Sequence, residues 1–247
     1  MIYDIIVIGG GPAGMTAAIK AKETAPSASV KLIDKNKKLG KKLYATGNGK
    51  CNIANTKLDL SCYSSANEFF PFQFVTTDSH NDVMDFFESL GVSSYDDNGY
   101  IYPASLQAST IVWALTDRLK ILGIENSTSE EVLSIKQGKD GTYIVDTDKG
   151  GYRTTQVILA PGGAAAPKLG GSDRVYRLLD DLNVRFVKTH PALCKLKCHE
   201  YISDMSGVRA KAVVRLMCDG EEYDHERGEV PVSYTHLRAH ETDSYLV

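Results

Sequence analysis

Gly9, Gly11 and Gly14 fall at G-x-G-x-x-G spacing between an apolar, β-branched run, Ile5 to Ile8, and a stretch of small residues that opens with Pro12. In a strand–turn–helix unit each glycine has its own task. Gly9 permits the tight turn, Gly11 lets the main chain approach a pyrophosphate, and Gly14 lets the helix pack closely on the strand. Pro12 suits the first helical turn, where its missing N–H would have had no partner. The backbone of Ala13 and Gly14 and the positive end of the helix dipole then face the phosphates. A carboxylate follows: Asp34 ends a second apolar run, Val30 to Ile33, 25 residues after Gly9. Roughly 20 is the spacing at which an acidic residue accepts hydrogen bonds from a ribose diol and repels a 2′-phosphate. The glycine spacing alone would fit an ordinary turn, and Asp34 alone a solvated strand end. Strand, turn, helix, strand and acid in that order make an adenine dinucleotide, FAD or NAD, the expected ligand.

Beyond Asp34 the chain reads KNKKLGKKLYATGNGKCNIAN, Lys35 to Asn55. Lys35, Lys37, Lys38, Lys41, Lys42 and Lys50 would suit a solvated face or a nuclear-import-like run. They sit, however, where a dinucleotide phosphate would leave the first turn, and a phosphate-side loop is the better reading. Gly40, Gly47 and Gly49 allow main-chain conformations that let a backbone lie against a flat ligand. Cys51 has no partner cysteine nearby and reads as a packing or backbone-contact residue.

These residues need elements to hold them. His80 to Leu90 places Val83, Phe86, Phe87 and Leu90 on one helical face, with Gly91 as the stop. Ser105 to Leu122 sets Ile111, Leu115, Leu119 and Leu122 on a stripe ended by Gly123, with Trp113 off the stripe and read as a packing residue. From Glu131 to Thr155 the period shortens: VLSIKQ, TYIVDT and YRTTQ, separated by Gly-rich turns, predict a β-meander. Gln156 to Ala160 then returns as a strand to a parallel sheet. A helix over Asp173 to Leu182 follows, with Val175, Leu178, Leu179 and Leu182 inward and Ser172 as N-cap. After about His190, alternating segments and a turn at Asp219-Gly220 mark a β-rich region.

The 247 residues, 43% hydrophobic and 24% charged, are those of an ordinary globular chain of one or two domains, and the net charge of −3 gives no electrostatic case for nucleic acid or an anionic membrane. MIYD carries no basic leader and glycines break the apolar run after Ile8, so neither a signal peptide nor a membrane span is expected. Cys51, Cys62, Cys194, Cys198 and Cys218 form no C-x-x-C pair, and reduced thiols in a cytoplasmic protein are the default. No metal is expected. Cys194 and His199 would point to opposite faces of a strand, and His236 and His240 are only superficially a helical pair.

Five segments together resemble one flavoprotein family: GGGPAGMTAA, GKKLYATGNGKCNIAN, GYIYPAS at Gly99 to Ser105, VILAPGGAAAPKLGGSD at Val157 to Asp173, and HPAL at His190 to Leu193. It is the family of NAD(P)/FAD-dependent oxidoreductases that includes 3-dehydro-bile-acid-reductase-like and aminoacetone-oxidase-like enzymes. The resemblance implies an α/β, Rossmann-like FAD-binding domain of the glutathione-reductase type with a β-meander, followed by the beginning of a β-rich insert domain. It implies FAD as cofactor, with NAD(P)H as a candidate electron donor and an unidentified small molecule as substrate. It places Gly9, Gly11, Pro12, Ala13 and Gly14 at the pyrophosphate and Asp34 at the ribose. Lys35, Lys41, Lys42, Thr46, Gly47, Asn48, Gly49, Cys51 and Asn52 belong to the flavin-side loop. Val132 is a backbone contact for adenine, and Ala160, Gly162 and Gly163 form a second glycine turn. Pro161 departs from the Ala-Thr-Gly-Gly of similar proteins and removes one N–H donor. Catalytic residues are not assigned; Tyr102 is a candidate proton donor set against an edge-strand packing role. Two other readings are an NAD-dependent dehydrogenase, which needs no Lys/Gly/Asn loop, and a flavin-containing RNA-modifying protein, against which the charge argues.

The resemblance breaks at Gly228-Glu229-Val230, and Pro231 to Val247 is similar to a translated adapter read-through. The expected layout is therefore an FAD-binding domain over 1–189, the start of the insert over 190–230, and a non-native tail over 231–247. A fragment lacking the segment that returns to enclose the flavin would leave strand edges unpaired. It is expected to fold incompletely or to bind FAD weakly.

Overall fold

The computed structural model describes residues 2–57, 63, 76–186, 195–196, 208–233 and 236–238. The expectations for His190 to Cys194, for Cys198 and His199, and for His240 lie outside the described residues. The chain divides into two compact units, Met1–Leu58 with Phe72–Val187, and Asp59–Pro71 with Lys188–Val247.

The first unit is built on a six-stranded sheet. Its strands are β1 (Ile2–Ile8), β2 (Val30–Ile33), β6 (Glu125–Ser127), β7 (Val132–Gln137), β8 (Tyr143–Thr147) and β9 (Gly150–Leu159), in the order β6-β2-β1-β9-β8-β7. β6, β2, β1 and β9 run parallel, and β8 pairs antiparallel with both β9 and β7. The helix α1 (Pro12–Thr24) joins β1 to β2. Because successive side chains in a strand point to opposite faces, β1 feeds two cores. Val7 joins Met15, Ile19, Leu32, Leu115 and Leu119 beneath α1 and α3 (Ala108–Ile121). Ile6 and Ile8 join Ile33, Val132, Ile135, Val145 and Leu178 of the helix α4 (Arg174–Asp181). Burial on both faces is why β1 and β2 are nearly continuous apolar runs. The predicted meander is present, but YRTTQ and the returning strand are one element. β9 pairs with β8 from Gly150 to Thr154 while its register with β1 runs from Arg153 to Leu159.

A small sheet, β3 (Ala54–Asn55), β5 (Tyr100–Pro103) and β4 (Ser94–Asp97), also belongs to this unit, ordered β3-β5-β4. Tyr102 therefore lies on a central strand and not on an edge. The hairpin turn uses Asn98 at φ 54° and Gly99 at φ 100°, the left-handed pair that a two-residue hairpin favours.

Two helix faces differ from the expectation. α2 (Thr77–Ser89) starts earlier than predicted, behind a capping box in which Thr76 and Ser79 exchange side chain-to-backbone hydrogen bonds. Phe86 is buried, but Val83 is exposed. Trp113 is 65% exposed and is not a packing residue. It is the one tryptophan of the chain, so native fluorescence should be quenched by iodide nearly as readily as in urea. Trp113→Ser should change stability by no more than about 0.5 kcal/mol. At α4, Ser172 Oγ accepts the backbone N–H of Arg174 at 3.1 Å, while the N-cap position belongs to Asp173, which makes no capping bond.

On the α4 side of the sheet lies a charged network that the sequence reading did not identify. Lys31 is 2% exposed and pairs with Glu125, which also accepts the Tyr3 hydroxyl at 2.7 Å. The ammonium lies 4.6 Å from the ring centroid of Tyr152 and 5.5 Å from that of Tyr3. Burial and a hydrogen bond to Glu130 push the Tyr152 phenol above its ordinary pKa, and Glu130 also accepts from Thr147 Oγ1 at 2.7 Å.

In the second unit β11 (Arg209–Cys218) and β12 (Glu221–Ser233) form a long antiparallel hairpin closed at Asp219-Gly220. The short strands β10 (Lys195–Leu196) and β13 (His236–Arg238) complete a four-stranded sheet ordered β10-β13-β12-β11. Pro231 to Ser233 and His236 to Arg238, within the stretch set aside as a tail, thus have strand geometry.

Candidate functional site: the glycine turn and its cleft

The glycine turn lies where β1 ends between β2 and β9, the switch point at which open parallel sheets bind ligands. Gly9 has φ 108°, and a Cβ on it would collide with the carbonyl oxygen of Ala160. A Cβ on Gly14 would overlap the Gly9 carbonyl oxygen, so α1 crosses the turn at a separation only glycine allows. Gly11 is different: no atom lies within 4 Å of the position its Cβ would take. That space, beside the exposed Pro12 and Ala13, is open at a helix terminus whose first N–H groups have no intrahelical partner.

Asp34 holds this turn as well as facing the site. Its carboxylate accepts the backbone N–H of Gly10 at 2.6 Å and that of Asn36 at 2.7 Å. A carboxylate has about four lone-pair sites, so capacity for a diol remains. Asp34, Gly9, Lys35 and Val132 line one solvent-open cleft. Ile8, Ile33, Val132 and Leu178 form its buried apolar floor. Glu130, Glu131 and Arg174 also line it and were not singled out from the sequence, and Pro161 and Ser172, read there as a departure from the family pattern and as an N-cap, line it too. Glu130 and Glu131 stand within two residues of Val132, but Arg174 lies 11 residues past Gly163, and nothing in the local sequence brings these segments together.

The Lys/Gly/Asn loop is tied to the turn by main chain, Gly40 N–H donating to Gly10 O at 2.7 Å. It forms 3-10 turns over Leu43–Gly49, broken at Thr46. Gly47, Asn48, Gly49 and Cys51 all have positive φ, a compact left-handed run suited to presenting backbone. Gly40 lies so close to α3 that a Cβ would come within 2.9 Å of Val112. The Cys51 side chain is in the core, where burial pushes its thiol pKa up against a lowering hydrogen bond with Thr46. Only its backbone is left to face a ligand. Thr46 Oγ1 donates to Leu43 O at 2.7 Å. Asn52 Nδ2 is buried and, among the described residues, has no hydrogen-bond partner. A buried donor without a partner costs roughly 1–3 kcal/mol, so a ligand acceptor there would offset a real penalty.

The second glycine turn follows β9. Ala160 N–H donates to Ile8 O at 2.8 Å, Gly162 has φ 74°, and Gly163 O accepts Ser172 N–H at 3.1 Å. Lys42 Nζ reaches Ala165 O at 3.1 Å, linking the lysine loop to this segment. The cleft thus gathers Gly9, Asp34, Lys35 and Val132. Gly11, Pro12, Ala13, Gly14, Ala160, Gly162 and Gly163, and the residues from Lys41 to Asn52, lie outside its lining. The backbone bonds of Gly40 and Ala160 connect their segments to it. Among the described residues no cluster of His, Cys, Asp or Glu is arranged to hold a metal, and no helix is long and apolar enough to cross a membrane.

A parallel β-α-β unit with this glycine turn, its acid and a three-stranded meander defines a Rossmann-type dinucleotide-binding domain. More particularly, the chain belongs to the family described as the HI0933-like protein Rossmann domain, an FAD-binding family, which it matches over residues 3–226. It is 31% identical over 228 residues to the 3-dehydro-bile acid delta(4,6)-reductase of Clostridium scindens, covering 92% of this chain and 56% of that protein. To the ribosomal RNA dihydrouridine synthase of Escherichia coli it is 26% identical over 217 residues, covering 86% of this chain and 53% of that one. A solved structure, Thermovibrio ammonificans THI4, aligns with a TM-score of 0.49 at 13% identity, over 74% of this chain and 64% of its own. The chain spans about half the length of the curated relatives it matches.

Proposed function

We propose that this chain forms the cofactor-binding part of an FAD-dependent oxidoreductase that reduces an activated carbon–carbon double bond in a small molecule, with NAD(P)H as electron donor. The observation that carries the cofactor reading is the contrast within the glycine turn: Gly9 and Gly14 are required by packing, whereas the missing Cβ of Gly11 serves only open space. The bond class is supported by what the relatives' names have in common. A delta(4,6)-reductase and a dihydrouridine synthase are both named for adding hydrogen across such a bond. When bound, FAD supplies the two-electron hydride chemistry.

The chain's own residues bind and orient. Backbone N–H groups of the first turn of α1 hold the diphosphate, and Asp34, fixed by Gly10 and Asn36, accepts the ribose hydroxyls. The lysine loop offsets phosphate charge, and Asn52 Nδ2 donates to an acceptor on the cofactor. A reducing, cytoplasmic setting fits the free thiols of Cys51 and Cys218. Titrating the purified chain with FAD should quench flavin fluorescence saturably while NAD competes poorly. Binding of NAD in preference to FAD would replace this reading with a dehydrogenase.

The name of the Escherichia coli relative favours a second reading, in which the double bond belongs to a uridine in RNA. The net charge of −3 weighs against it. Retention of a ribosomal RNA transcript on a filter at low salt, lost on mutating Lys37 and Lys38, would favour RNA over a small molecule.

A further inference from the structure

Arg174 stands at the exposed rim of the cleft, where it opens α4, and its Nη1 lies 2.9 Å from Oε2 of Glu131, the residue before β7. Its backbone N–H is held by Ser172 Oγ at 3.1 Å. Of the other charged residues lining the cleft, Lys35 supplies a second, non-planar cation, and the two remaining acids are differently engaged. Asp34 receives two backbone N–H groups, and Glu130 is buried and bonded to Thr147. Below the rim the floor is apolar: Ile8, Ile33, Val132 and Leu178 are all under a tenth exposed. A cleft with an apolar floor and one oriented planar cation at its edge suits a flat, electron-rich ring. A guanidinium stacks flat on the face of such a ring, which an ammonium does not reproduce.

Building on the dinucleotide reading above, we propose that Arg174, braced by Glu131, clamps the adenine ring and makes this site select adenine-bearing ligands over a flavin mononucleotide. Arg174 is the contacting residue and Glu131 the positioning residue. The pair joins the start of α4 to the residue before β7 at the rim of the cleft.

The test is calorimetric titration of the full 247-residue chain with FAD, ADP and FMN, in the wild type and in Arg174→Ala, Arg174→Lys and Glu131→Gln. Arg174→Ala should weaken FAD and ADP about tenfold, about 1.4 kcal/mol, and leave FMN unchanged. Arg174→Lys should lose nearly as much, since it keeps the charge but not the plane. Glu131→Gln should lie between. Thermal melts of the unliganded variants report folding, and Arg174→Lys carries the test if the alanine variant melts early. FAD and ADP affinities unchanged in Arg174→Ala would overturn the clamp alone, as would full rescue by lysine. Absence of both FAD and ADP binding in the wild type would overturn the clamp and the cofactor reading together.

Discussion

Gly14→Val should destabilise the chain by about 3 kcal/mol, at the upper end of overpacking costs. Gly11→Ala should leave its stability within about 1 kcal/mol of wild type while weakening FAD at least tenfold, about 1.4 kcal/mol. The two residues are three apart in one motif, and their opposite fates follow from what each Cβ would meet. On Gly14 it would run into the carbonyl oxygen of Gly9, a backbone atom that cannot swing aside. Relief would require α1 to lift from β1, uncovering Met15 and Ile19, both fully buried. On Gly11 it would meet nothing within 4 Å, so the folded chain tolerates it, and the methyl group instead occupies the approach to the helix N-terminus. Urea melts and FAD titrations of the two variants separate the effects. A Gly11→Ala chain that binds FAD as tightly as wild type would remove the main support for the cofactor reading. A Gly14→Val chain of unchanged stability would contradict the packing of α1 on the turn.

That contrast also explains what could be read from the residues alone. The roles of Gly9 and Gly14 are set by local sterics, so type and spacing declare them. Asp34 was legible as the acid at the end of β2, but not as a brace for the turn, because its bond to Gly10 depends on how two strands lie side by side. Periodicity found the buried faces of α2 and α3 through Phe86, Ile111, Leu115 and Leu119. It could not say that Val83 and Trp113 would be exposed, since a helical stripe names a face without naming what covers it. β9 was divided in two because its pattern changes where its neighbour changes, from β8 and β1 together to β1 alone. Arg174 and Glu131 left no trace, as an ion pair between remote segments has no sequence period.

The same limit hid Lys31, which in sequence is one polar residue in an apolar strand, and here the expected order of two mutants is informative. Glu125→Ala should cost about 2 kcal/mol. It leaves a buried ammonium without its carboxylate, and the loss falls below the roughly 3–5 kcal/mol of a fully buried pair because the Glu125 side chain is 54% exposed to water. Lys31→Met should cost less, about 1 kcal/mol or under, because a similar apolar chain packs against Tyr3 and Tyr152 while Glu125 remains solvated. The pH dependence follows from the directions of three shifts. Burial would push the Lys31 ammonium down, but the hydrogen bond and charge of Glu125 outweigh it and hold its pKa above the ordinary value. Burial, then the hydrogen bond to Glu125, also raises the Tyr3 phenol. A raised group contributes fully below its unfolded pKa and loses that contribution as pH rises through the folded one, so this stabilisation is intact up to about pH 10 and falls beyond it. The hydrogen bond from Lys31, then that from Tyr3, lowers the Glu125 carboxyl. Its contribution is present above about pH 4.3 and is lost as pH falls through the folded value. Urea midpoints should therefore be flat across neutrality and decline on both flanks, with Lys31→Met flattening the alkaline side and part of the acid side. A Lys31→Met chain less stable than Glu125→Ala at pH 7 would mean that the ammonium's contacts with the two tyrosine rings, and not its carboxylate, hold this side of the sheet together.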